Sequence, residues 1–154
     1  MTASGSFTTT TTRAPGTSST FEVMPSPRSE TFVVNPVLAT GSCDVLGVDP
    51  GRAEGITGFK LVCDRTEAYR RQANAHAWSS AIVSAASLAI SFSSPACKLF
   101  ELKPLRNPMQ HDLVTEPIDH VDGWVAPPTR PGLGIEVLDE VVDRYRSDRV
   151  LAGA

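Results

Sequence analysis

At 154 residues the chain has the length of one domain with one core. A net charge of −3 without any basic run excludes the cationic footprint of a protein that binds nucleic acid or an anionic membrane. Three cysteines, Cys43, Cys63 and Cys97, form no CxxC pair and cannot all be bridged, so they read as reduced, buried thiols of a cytoplasmic protein.

Residues 1–43 are predicted to be a low-complexity, mostly disordered leader. Ser, Thr, Pro and Gly dominate its first 31 positions and Thr8 to Thr12 is a homopolymer, leaving too little apolar surface to offset the entropy of ordering. A transit peptide is the sharper alternative, because Arg13 precedes any acid; no amphipathic Arg-rich helix goes with it. No charged start followed by an apolar core marks a secretory signal. Phe32-Val-Val34 is a short β-prone run closed by Asn35-Pro36.

The α/β part is expected over residues 44–103. Asp44-Val-Leu-Gly-Val48 reads as a strand, and Asp49-Pro-Gly51 as the turn after it. Thr57 is a plausible N-cap for a helix running to about Arg71, with Phe59, Val62, Cys63, Thr66 and Tyr69 on one face. Glu67 and Arg71 are spaced to pair across one turn. Gln72-Ala-Asn-Ala75 is a second strand, of small residues. Ser79 or Ser80 caps a helix carrying Ala81, Ile82, Ala85, Ala86, Leu88 and Ala89, which Pro95 ends. Its apolar run, Ser80 to Phe92, is too short and Ser-rich to span a bilayer. Cys97 to Leu102 is predicted as the last strand.

Residues 104–154 read as a Pro-punctuated loop, a turn at Asp122-Gly123 before a short Trp124-Val125 strand, a rigid turn at Pro131-Gly-Leu-Gly134, and a helix over about Glu136 to Arg146. His111 and His120 match no common ligand spacing and read as surface histidines, with a metal pair as the sharper alternative. A nucleophilic Cys97 lacks an accompanying His motif.

The three strand-like runs each end in an ionisable residue: Asp49, His76 and Glu101. They stand 27 and 25 residues apart. A (β/α)₈ barrel spends roughly 250 residues on eight units, about 30 each, and builds its active site at the C-terminal strand ends. The spacing suits three consecutive barrel strands whose end residues converge. It also suits any repeating α/β protein, in which case His76 is a structural histidine.

The wording around these residues resembles the C-terminal part of the mandelate racemase/muconate lactonizing enzyme-like branch of the enolase superfamily. Asp44 to Thr57 is similar to that family's sixth strand and loop, Asn74 to Ile82 to its seventh, and Leu99-Phe-Glu-Leu102 to its eighth. Asn107-Pro, Glu116-Pro, Asp122-Gly-Trp-Val125 and Pro131-Gly-Leu-Gly134 follow in the family's order. The resemblance implies a segment of about three strands from an enolase-type TIM barrel. It also implies abstraction of the proton next to a carboxylate, on an acid-sugar substrate, by a Mg²⁺-dependent dehydratase or racemase. His76 would be the general base, Asp49 would orient and charge-tune it, and Glu101 would hydrogen-bond the developing enediolate. Trp78 would either wall the substrate pocket or simply pack. Imidazole chemistry suits the first role, and a carboxylic acid facing an oxyanion suits the last.

The family's metal ligands lie on its third to fifth strands and its second base, a Lys, on its second. Only 43 residues precede Asp44, where four units need roughly 120. The expectation is therefore no metal ligands in this chain, no activity alone, and a C-terminal tail whose capping-domain partner is elsewhere. A wrongly placed gene start or a truncation accounts equally for such a leader. The family usually carries two glycines where Glu54-Gly55 stand, which puts the Asp49 loop in doubt. Three readings stay open: a remnant inactive alone, a split enzyme completed by another chain, or a non-catalytic interaction module. Bare sheet edges predict self-association.

Overall fold

The computed structural model describes residues 20–23 and 30–146. The expectations for residues 1–19, 24–29 and 147–154 lie outside them. The order is β1 (Thr20–Val23), α1 (Glu30–Thr40), β2 (Val45–Val48), α2 (Gly55–Ala68), β3 (Gln72–Ala75), α3 (Ala81–Ser93), α4 (Pro108–His111) and α5 (Asp139–Tyr145).

The strands form one parallel sheet in the order β1-β2-β3, and an isolated parallel bridge from Ala73 to Cys97 continues it by one more step. Each strand therefore lies beside its successor. A doubly wound sheet reverses direction at a switch point; a barrel wall does not. This succession is the α/β topology that a segment of a (β/α)₈ barrel wall requires. Its core gathers Leu46, Val48, Ala73 and Ala75 from one face of the sheet with Phe59, Val62 and Cys63 from α2.

The leader was expected to extend over residues 1–43, and the described part of that range includes regular structure. Residues 30–40 are helical, not β-prone, and α1 contains Pro36. A proline inside a helix costs about 3 kcal/mol through a lost hydrogen bond and a clash. Val34 and Leu38, one turn apart, are both buried in the core. Burial of two such side chains contributes about 3–6 kcal/mol and offsets the proline. Arg65 also donates to Asn35 Oδ1 at 2.7 Å, tying α2 to α1. Strand β1 falls wholly within the predicted disordered stretch and pairs in parallel with β2.

Helix α2 begins two residues before the predicted cap. Glu54 stands at its N-cap position with φ 58° and makes no side-chain cap bond. That left-handed geometry suits glycine, and a glutamate there is strained by about 1 kcal/mol. The strain falls on the loop that carries Asp49. The helix ends at Ala68, so Tyr69 is the C-cap and is 46% exposed instead of packed in the core. Arg71 pairs with Asp44 at 2.7 Å across the chain, not with Glu67.

Ser80 caps α3 by accepting the Val83 N–H, as its position predicts. The helix tolerates its serines because Ser87 and Ser91 donate to the carbonyls one turn back. Ser84 donates to Ala77 O at 2.8 Å and accepts from Gln110, linking the loop after β3 to α4. Replacing Ser84 by Ala leaves both partners buried and unpaired. We expect it to cost about 1–3 kcal/mol in urea denaturation, although only one oxygen is lost.

The predicted last strand shrinks to the Cys97 bridge. Among the described residues it pairs on the β3 side alone, and Leu99 is 68% exposed. Further on, Val114 pairs antiparallel with Val137, and Leu138 donates to Leu113 O. This return consumes residues predicted as helix, so α5 starts at Asp139. Asp122 and Gly123, both at positive φ, form the tight turn expected of that pair. The strand predicted after it is instead a lone Val121–Trp124 bridge, with Trp124 81% exposed. Among the described residues no helix is long and apolar enough to cross a membrane.

Candidate functional site

Parallel strands deliver the three ionisable residues to one edge of the sheet. Asp49 follows β2 directly, His76 follows β3, and Glu101 lies four residues beyond the Cys97 bridge. The backbone N–H of His76 donates to Val48 O at 2.8 Å, so these two strand ends are held in register.

The structure joins two of the three side chains. His76 Nδ1 lies 3.3 Å from Glu101 Oε2, and each side chain is 32% exposed, sheltered but reachable. Asn74 donates to the same carboxylate oxygen at 3.3 Å. Trp78 stacks on the imidazole, with ring centroids 5.3 Å apart and planes at 27°. The Trp78 indole N–H is buried and has no hydrogen-bond partner among the described residues. Lys103 reaches the Trp78 carbonyl at 3.5 Å, closing the loop over this corner.

Asp49 is turned the other way. Its Oδ1 accepts the Gly51 N–H at 2.8 Å, and its Oδ2 lies 3.4 Å from Arg52 Nε. The side-chain contact on Nδ1 of the imidazole is with Glu101, while Asp49, expected to orient that ring, faces Gly51 and Arg52. The physical reason is local: the Pro50-Gly51 turn points a backbone donor at the carboxylate two residues earlier, and Arg52 supplies charge from one turn on. Asn74 joins this corner without being among the residues expected there. Its signal was available, since residues two apart on a strand share a face and Asn74 sits two before His76.

A cavity of about 530 Å³ opens next to Glu101, lined among others by Leu102, Lys103, Arg106, Gln110, His111 and His120. None of Asp49, His76 and Glu101 lines it. His111 and His120 are engaged locally, each Nδ1 taking a backbone N–H, from Asn107 at 3.1 Å and from Gly123 at 3.3 Å.

Mg²⁺ requires near-octahedral oxygen ligands, carboxylates foremost. Among the described residues no three His, Cys, Asp or Glu gather to hold an ion. The two strand-end carboxylates are committed to Arg52 and the Gly51 amide, and to His76 and Asn74. These residues do not fit a magnesium seat.

The family described as enolase C-terminal domain-like matches residues 30–141. Among solved structures the chain is similar to a mandelate racemase/muconate lactonizing enzyme from Sulfitobacter sp., with 24% identity and a TM-score of 0.72 over 86% of this chain and 33% of that one. It is similar to a mandelate racemase/muconate lactonizing enzyme-like protein from Roseovarius sp. TM1035, with 33% identity and a TM-score of 0.64 over 72% and 27%. An enolase of the mandelate racemase subgroup from Agrobacterium tumefaciens matches at 21% identity and a TM-score of 0.67, over 80% and 33%. The comparison with curated proteins gives no match. The chain thus spans about a third of the length of the solved relatives it matches. The match starts at the first residue of α1 and runs through β2, β3 and α3 into α5, and on that extent the chain belongs to the enolase C-terminal domain-like family.

Proposed function

We propose that this chain supplies the proton-handling part of an enolising site for a carboxylate substrate of the acid-sugar class, in a Mg²⁺-dependent dehydratase or racemase. The observation that carries the reading is the His76–Glu101 contact at the ends of neighbouring parallel strands. A carboxylate on Nδ1 fixes the tautomer, makes Nε2 the basic atom and stabilises the imidazolium that forms. Nε2 takes the α-proton, and the electron pair moves onto the substrate carboxylate. Glu101, held also by Asn74, stays ionised and pairs with the positive charge that grows on the imidazole, and the enediolate's charge is left to the groups that complete the site. Trp78 fixes the face of the imidazole and walls the site. Asp49 provides a second carboxylate at the adjacent strand end.

Alone, the chain is inactive in this reading, because nothing in the described residues seats the cation that would hold the enediolate's charge. The remaining barrel strands complete it, from the same longer protein or from another chain. The open edge at residues 98–102 and the exposed Leu99 favour such completion, or self-association, over a solitary monomer. The free thiols suit a reducing cytoplasm.

The test is exchange of the α-proton of a panel of acid-sugar carboxylates in deuterium oxide with Mg²⁺, followed by proton NMR. The chain is assayed alone and with a separately expressed segment carrying the earlier barrel units of a matched relative. Exchange that requires both parts is expected. Exchange by this chain alone refutes its inactivity, and no exchange by a stably formed pair refutes the function.

A further inference from the structure

Two sulfurs meet where α2 packs against the segment that leads to Glu101. Cys63 Sγ and Cys97 Sγ are 3.7 Å apart, although 34 residues separate them in the chain. Both are free thiols: Cys63 is fully buried in mid-helix, and Cys97 is half-buried at the bridge to Ala73. A disulfide needs sulfurs at about 2.05 Å, so closing one here draws the two sulfurs about 1.65 Å nearer than they stand.

We infer that Cys63 and Cys97 form a reversible oxidation site, closing to a disulfide when a hydroperoxide reaches Cys97. The inference does not depend on the proposed activity.

The two thiols are unequal. The hydrogen bond with Cys63 lowers Cys97 to about 7; Ser91, Ser94 and Lys98 act in the same direction, and burial opposes them. The same hydrogen bond, followed by burial, pushes Cys63 well up. Cys97 is thus the attacking thiolate and Cys63 the resolving thiol. Cys97 sulfur attacks the terminal peroxide oxygen; the O–O bond breaks, Cys97 becomes a sulfenic acid, and the other oxygen leaves, once protonated, as the alcohol of an organic hydroperoxide or as water from hydrogen peroxide. Cys63 sulfur then attacks Cys97 sulfur. The S–S bond forms, the S–O bond breaks, and the hydroxide leaves as water with the proton of Cys63. Two thiols lose two electrons in all, and one hydroperoxide is reduced; with hydrogen peroxide both products are water. A dithiol reductant reverses the link.

Cys43 is the internal control. It is buried, and that burial pushes its thiol up, so it is the wrong thiol for peroxide. The link would staple α2 to a point four residues before Glu101, at the root of the proton-handling corner.

The folded chain is treated with hydrogen peroxide, alkylated in denaturant, digested with trypsin and mapped without reduction. Cleavage after Arg65, Arg70 and Arg71 separates Cys63 from Cys97, and cleavage after Arg52 separates Cys43 from both. The expected result is one dominant cross-linked pair, Cys63 with Cys97, lost on adding dithiothreitol, with Cys43 alkylated throughout. Cys63→Ser should leave a sulfenic acid at Cys97 that dimedone traps. The wild-type map stands even if that variant fails to fold. Links scattered over all three pairings, links mainly between chains, over-oxidised Cys97 without a link, or three cysteines that stay alkylatable each overturn the inference.

Discussion

Gly58→Ala will destabilise the chain by about 2–4 kcal/mol, against what helix propensity predicts. Alanine in a helix interior gains about 1 kcal/mol over glycine. A Cβ at position 58, however, would stand 1.8 Å from the Ala53 carbonyl oxygen, 2.8 Å from the Ala53 carbonyl carbon and 2.9 Å from Glu54 Cβ. The first two are backbone atoms, which cannot swing away as a side chain does. Overpacking a tight site costs 1–3 kcal/mol or more, and here the strained turn around Glu54 must move as a unit. The clash therefore wins. The displaced loop begins at Asp49, whose main-chain oxygen accepts from both Arg52 and Ala53. Damage should thus extend to that strand end. Urea denaturation of Gly58→Ala beside Lys60→Ala, a change on the solvated face, measures the effect. A Gly58→Ala midpoint equal to or above the parent's would show that α2 does not start as described.

In the completed assembly, His76→Asn will lower α-proton exchange by about 10²–10⁴-fold, the usual contribution of a positioned general base. Asparagine keeps a polar side chain of similar reach at the end of β3. Substrate binding should change much less than the rate. Glu101→Gln keeps an acceptor for His76 and Asn74 but removes the charge that stabilises the imidazolium, so we expect a loss of about 10²-fold. Trp78→Ala deletes the stacking ring 5.3 Å from His76 and should act mainly on the ordering of the imidazole. Initial rates in deuterium oxide at saturating substrate, with KM measured separately, distinguish these effects. A His76→Asn rate within a factor of about two of the parent's would remove His76 from the chemistry.

Much of this was readable in the chain because local and global preferences agree there. Val45–Val48 precedes a polar residue and a turn, Gln72–Ala75 precedes a polar residue, and Ser80 stands where an N-cap must. Where the two disagree, the sequence misleads. Pro36 argues for a break at the position where burial of Val34 and Leu38 sustains a helix. The four residues Thr20–Val23 sit in a hydroxyl-rich stretch and become a strand only because β2 offers a parallel edge, a contact no local pattern encodes. Residues 98–102 look strand-like and stay irregular, because β3 pairs only as far as Cys97. The meeting of His76 with Glu101 follows from strand succession and was legible as a convergence. The turning of Asp49 toward Gly51 and Arg52 was not, since it depends on the geometry of one tight turn.

The central claim is that the imidazole at 76 and the carboxylate at 101 work on one substrate as a unit. A crystal structure of the completed assembly holding a non-exchanging α-hydroxy acid tests it most directly. The account predicts the ligand's α-carbon within reach of the His76 ring, with Glu101 bonded to that ring and beside the ligand carboxylate. A ligand seated away from these two side chains, or a Glu101 turned from His76 with the ligand in place, would contradict it.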